Sequence, residues 1–227
     1  MARDMYGSMT GASAWMMRLE WAAPHLVLLW AMWVVMMTAM MLPSAAPALM
    51  LYAMVARRGA DEAHREGNVY IFALGYVVVW AVFSAGATAL QRELSRMLVL
   101  SPMMELESRP VIVGVLLVAG VFQLTPLKNV CLGACRSPAA FLTQHWHAGM
   151  FGALRMGIYH GLFCLGCCWA LMLLLFVGGV MNLAIILALT TIVVVEKLTP
   201  WGVWVSRLSG GLLIAAAIWQ ALQSHTS

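Results

Sequence analysis

Apolar residues gather into six long runs separated by short polar stretches, a pattern that predicts membrane-spanning helices rather than alternating strands. The first run begins near Pro24, a favourable first helical residue, and passes Trp30 and Trp33 to Leu42. Pro43 and Pro47 then interrupt a pattern that continues to Val55. Prolines four apart remove backbone donors, so this part reads either as a kinked or broken helix, or as a helix end followed by a short re-entrant or interfacial turn. The later runs cover 69–90, 110–125, 151–177, 181–195 and 203–222. The third, at about sixteen residues, is close to the lower limit for crossing a bilayer. Between runs, Arg57 to Asn68 and Gln91 to Arg109 are rich in charge and read as solvated connections.

Local signals refine this. Thr125 before Pro126, and Ser137 before Pro138, each read as a helix cap and first turn. They predict two short helices at the membrane surface, the second running to His147 and closed by Gly149. Gly178 and Gly179 predict a tight turn. Gly157 and Gly161 form a small-xxx-small pair that admits a close neighbouring helix. Glu196 beside Lys197 reads as an ion pair at the end of the fifth run, or as a partner behind metal ligands. The expectation is an all-α fold: a polytopic transmembrane helical bundle of about six spans plus short interfacial helices. Residues 1–22 make an N-terminal interfacial segment, 23–222 a single six-span membrane domain, and 223–227 a polar tail.

Composition agrees. The chain has 227 residues, 63% hydrophobic and 10% charged, with mean hydropathy +0.88, outside the range of soluble domains. Its first twenty residues carry Arg3, Asp4, Arg18 and Glu20 and lack a compact apolar core, so the first run is read as the insertion signal. The net charge of +4 lies in the loops and suits phospholipid headgroups, with no nucleic-acid module in view. Lys and Arg counts favour termini outside and the Cys131–Cys135 segment inside. No Ser/His/Asp order, phosphate loop or paired-carboxylate site suggests catalytic activity of its own.

The chemistry lies in sulfur. Three of the five cysteines sit in the fourth run, where His160, Cys164, Cys167 and Cys168 fall at roughly 0°, 40°, −20° and 80° around a helix. A thiolate at membrane depth is costly unless neutralised, so the cluster suggests a bound soft metal. Ordinary packing of small apolar side chains is the alternative. Upstream, Cys131 and Cys135 are four apart on a short helix and share a face. Lys128 and Arg136 beside them favour thiolate, and a single metal or a disulfide with the other thiols would use both. Met36, Met37, Met40 and Met41 pair up at four-residue spacing, either as gap-filling core residues or as a thioether relay suited to Cu(I). His145 and His147 fall on different faces and read as surface residues.

Three runs together resemble the DUF2182 family: Met-Met-x-Ala-Met-Met-Leu-Pro-Ser-x-x-Pro at 36–47, Gln-Leu-Thr-Pro-Leu-Lys-x-x-Cys-Leu-x-x-Cys-Arg-x-Pro at 123–138, and His-Gly-x-x-Cys-x-Gly-Cys-Cys-Trp-x-Leu-Met at 160–172. The likeness continues through 179–182 and Glu-Lys-Leu-x-Pro at 196–200. Members are described as predicted metal-binding integral membrane proteins. The resemblance therefore implies a metal site and points to Cys131, Cys135, His160, Cys164, Cys167 and Cys168.

Three functions follow as expectations. The first is a multi-pass membrane protein, in a bacterial inner membrane, that binds copper as Cu(I), or zinc as the alternative, and serves metal handling or metalloprotein assembly. The second is an accessory subunit of a membrane metalloenzyme complex. The third is a membrane thiol-disulfide oxidoreductase. Its partners are the lipid bilayer and another membrane protein or metalloenzyme, with no nucleic acid.

Overall fold

A computed structural model describes residues 23–56, 65–97, 106 and 108–223. The expected interfacial segment at 1–22, most of the first polar connection and nearly all of the tail lie outside the described residues. The elements described are the helices α1 (Ala23–Ala56), α2 (Arg65–Arg96), α3 (Arg109–Leu124), α4 (Pro126–Arg136), α5 (Pro138–His145), α6 (Gly149–Gly178), α7 (Leu183–Leu198) and α8 (Gly202–Gln223). The all-α expectation holds.

Helix α1 continues through both prolines for 34 residues, which corrects the alternative of a helix end at Pro43. Its inward face explains the continuity. Trp33, Met37, Met40, Met41, Ser44, Ala48 and Tyr52 are buried at steps of three and four, so core contacts on both sides hold the helix across the missing donors. Helix α2 likewise runs past the expected loop start, because Gln91 is buried and accepts from Trp33 Nε1 at 2.7 Å.

Among the described residues four helices are long and apolar enough to cross a bilayer: α1, α2 from Gly67, α6 and α8. Helices α3 and α4 meet at a 64° bend and become a fifth candidate if taken as one segment. Thr125 makes that bend: its hydroxyl donates to Phe122 O at 2.7 Å and accepts the N–H of Lys128, closing one helix while capping the next. The cap predicted at Ser137 has no side-chain hydrogen bond. Helix α5 ends at His145, and Gly149, with φ +80°, opens α6 instead of closing α5. Helix α7 has 16 residues, or about 24 Å of rise. It begins after the turn at Gly179, φ +88°, where Asn182 accepts from the N–H groups of Ala184 and Ile185. It also contains Glu196 and Lys197, which were expected to follow it.

Glycines set how closely the helices meet. A methyl group on Gly157 would overlap the carbonyl of Phe72, and one on Gly161 would press on Val79. Gly75 faces the backbone of Leu154 and Ile158 in return. Helices α2 and α6 thus touch backbone to backbone, as the small-residue spacing predicted. Gly120 and Gly210 give α3 and α8 a similar approach. The outside stays apolar, with Trp201, Trp204, Leu208, Leu212 and Trp219 exposed, the surface expected against lipid.

Gly157→Ala should therefore force α2 from α6 and cost about 1–3 kcal/mol, lowering the melting temperature in detergent by roughly 5 °C. Gly86→Ala, where a methyl meets open space, should leave it unchanged. Equal melting temperatures for the two variants would contradict the close contact.

Candidate metal centre

The fourth apolar run brings its cysteines inward as α6. Cys164, Cys167 and Cys168 are all buried, on the face that packs toward α1, α4 and α7. Cys168 lies against the thiols of Cys164 and Cys167, and donates to Met41 Sδ at 3.8 Å and to the carbonyl of Cys164 at 2.8 Å. Cys167 reaches the thiol of Cys135 on α4. Cys131, one turn earlier and half-buried, sits over Gly166, where a methyl would meet its sulfur at 2.9 Å. The two cysteine stretches therefore meet, α4 lying across α6 with Gly166 leaving room for a thiol.

The sulfurs form a string and not a ring. They run from Cys135 to Cys167, to Cys168, and on to Cys164 and Met41. Among the described residues no three Cys, His, Asp or Glu side chains gather closely enough to hold an ion. Pairs are another matter. One such pair is Cys168 and Met41, whose sulfurs stand 3.8 Å apart. Thiolate and thioether are soft donors, and this donor set suits Cu(I) bound by few ligands better than four-coordinate zinc.

The other expected ligands divide. Met37, Met40 and Met41 are buried on the inward face of α1, while Met36 is half-buried beside them. Of these, Met41 is the thioether at the thiols. His160, one turn before Cys164, is buried among the rings of Phe72, Tyr76 and Phe141, with centroids 5.3–6.1 Å away. Its Nδ1 has no hydrogen-bond partner, an orphaned donor atom of the kind a ligand satisfies. His145 is half-buried and bonds to its own helix at Phe141 O, and His147 is exposed.

Lys197 completes the centre, which the sequence touched only in the alternative that set the Glu196-Lys197 pair behind metal ligands. Its ammonium, 5% exposed, donates to Cys164 Sγ at 2.9 Å and to Ser44 Oγ at 3.2 Å. The Tyr76 hydroxyl lies 3.0 Å from the same sulfur and donates to Met41 O at 3.2 Å. Lys197 thus does not pair with Glu196. Consecutive helical residues point about 100° apart, and Glu196 turns the other way, to Lys128 of α4 at 2.7 Å. Gln123 completes that second cluster: it accepts from Lys128 and donates to Glu196 at 2.9 Å and Ser209 at 2.7 Å. Lys128 was expected to favour thiolate at Cys131 and Cys135, but its ammonium is taken up by Glu196 and Gln123. Lys128 anchors the helix of those cysteines, and Arg136 fixes the other end by donating to Thr199 O at 2.8 Å. The available signal was an ionisable Glu-Lys pair closing an apolar run, since such residues mark function by default.

A family model described as PpoB2, copper chaperone, matches residues 30–220. No curated protein and no solved structure matches the chain.

Lys128 and Glu196 are 0% and 2% exposed, so removing one charge strands the other. Glu196→Gln should cost about 3–5 kcal/mol, and the double change Lys128→Met with Glu196→Leu should regain most of it. Unfolding in detergent checks this, and a double variant no more stable than the single one would exclude the pair as the anchor of α4.

Proposed function

Because the chain belongs to the PpoB2 copper chaperone family, we propose that it is an integral, multi-pass membrane protein that takes up Cu(I) on cysteine and methionine sulfurs and hands it on. The observation that carries this reading is the unbroken string of sulfurs from Cys135 through Cys167 and Cys168 to Cys164 and Met41. Soft donors select a soft ion, and pairwise neighbours let it exchange one ligand at a time. Cys131 and Cys135 are the half-buried end, where copper is received. Cys164, Cys168 and Met41 are the buried end, with Met37 and Met40 continuing along α1 and His160 offering a neutral nitrogen. Zinc, which prefers four ligands around one point, is the poorer fit.

The same reading takes α1, α2, α3 with α4, α6, α7 and α8 as six crossings in a bacterial inner membrane. It treats the DUF2182 resemblance and the copper chaperone match as two descriptions of one motif set. The recipient of the metal is another membrane protein, a metalloenzyme in need of copper.

Metal content by mass spectrometry tests the proposal on protein purified anaerobically without chelators. The native chain should carry near-stoichiometric copper. Cys164→Ser and Cys168→Ser should lose it, and Cys131→Ser should load it more slowly. A native protein free of copper after loading with Cu(I), or full copper in Cys164→Ser, would overturn the reading.

A further inference from the structure

Lys197 is a cation inside an apolar bundle. Among the described residues its hydrogen-bond partners are a thiol and a hydroxyl, with no carboxylate. An ammonium in such a place needs an anion, and the group in contact with it is Cys164. The nearby carboxylate, Glu196, is committed to Lys128 and Gln123. The charge of Lys197 therefore belongs to the sulfur pocket.

We propose that Lys197 sets the charge of the ion this pocket accepts, making it selective for a monovalent soft cation over a divalent one. This rests on the copper reading above and adds the basis of its selectivity. Charge balance sets the preference. Metal-bound cysteines are thiolates, so Cys164 and Cys168 contribute two negative charges; Met41 contributes none, nor does Cys167, whose thiol keeps its proton on Cys164 O at 3.1 Å; and Lys197 contributes one positive charge. The sum is one negative charge. A singly charged ion cancels it and leaves a neutral pocket, whereas a doubly charged ion leaves a net positive charge in the apolar interior. Softness of the donors does not by itself make this distinction, because thiolates also hold zinc well. Ser44 is the ammonium's second partner: its hydroxyl accepts from Lys197 and donates to Met41 O at 2.7 Å.

The test compares Ag(I) and Zn(II), two filled-shell ions that differ in charge and are stable in air, by equilibrium dialysis of the full chain in detergent. Native protein should prefer Ag(I). Lys197→Met removes the positive charge and leaves two negative charges for the ion to meet. The Ag(I)-to-Zn(II) affinity ratio should fall at least about 100-fold, as expected for a unit charge about 4 Å from the ion. Ser44→Asp tests the same point without touching the lysine. Its carboxylate would pair with Lys197 and restore the negative charge, moving the ratio in the same direction. Lys197→Arg keeps the charge and should keep the preference.

A ratio unchanged within about threefold in both Lys197→Met and Ser44→Asp, with binding still abolished by Cys164→Ser, would overturn this inference and leave the copper reading standing. An equal shift in Lys197→Arg would also overturn it, since geometry rather than charge would then decide. Native protein that binds neither ion would remove both readings. Should Lys197→Met fail to fold, Ser44→Asp decides.

Discussion

A lysine ammonium held 2.9 Å from a cysteine sulfur inside an apolar bundle is the contact on which the rest of this interior depends. A charge in such a medium is tolerated only where its donors are matched and an anionic partner is close. Meeting that requirement takes four helices at once. Helix α7 supplies Lys197, α6 supplies Cys164, α1 supplies Ser44, and α2 supplies the Tyr76 hydroxyl on the same sulfur. Sliding α1, α6 or α7 would strip a partner from the ammonium, and sliding α2 would strip one from its sulfur. The polar contact thus fixes the register of helices whose apolar faces alone would pack in several ways.

Glu196 extends the constraint to the other half of the molecule. Because neighbouring residues of a helix point in different directions, the short helix α7 reaches two buried clusters at once, Lys197 toward the thiols and Glu196 toward Lys128 and Gln123. Gly202 lets α8 begin against the Glu196 backbone, and Ser206 of α8 donates to Gln123 O at 2.9 Å. The consequence falls on α4. With Lys128 buried near its start and Arg136 tied to Thr199 at its end, this helix has one way to lie, and in it Cys131 and Cys135 rest on Gly166 and Cys167. The thiol string is therefore a product of charge pairing some distance from any sulfur.

Much of this arrangement was legible in the residues. Long apolar runs gave the helices, Thr125-Pro126 gave the bend, and Gly157 with Gly161 gave the close approach of α2 and α6, because each signal is local and works through one helix. The failures are those of long-range contacts. Pro43 and Pro47 left a kinked or broken helix and a helix end equally open, and burial of Met40, Met41 and Ser44 around them decides against the end. The pairing of Glu196 and Lys197 looked local but is tertiary in both directions. Tyr76 and Ser44 carried no signal at all, since a tyrosine or a serine in an apolar run is ordinary until its neighbour is known. The count of crossings was also underdetermined: α7 and α3 are each 16 residues, a length at which hydropathy does not separate a short span from a buried helix.

A string of sulfurs differs in kind from a cage. Four ligands around one point lower the energy of an ion in one place and raise the barrier to leaving, which suits a structural metal. Neighbours taken two at a time hold a soft ion well enough to keep it from water, yet each pair shares a member with the next, so no step requires all bonds to break together. In the proposed reading this is why the half-buried cysteines of α4 and the buried cysteines of α6 meet, with Cys135 on Cys167. The end of the string is marked by a change of partner. Cys164 meets no further thiol but a fixed positive charge, and the next soft donor beyond Cys168 is the neutral thioether of Met41. In that same reading an ion that moves along the string comes to rest where two thiols, a neutral thioether and one ammonium stand together.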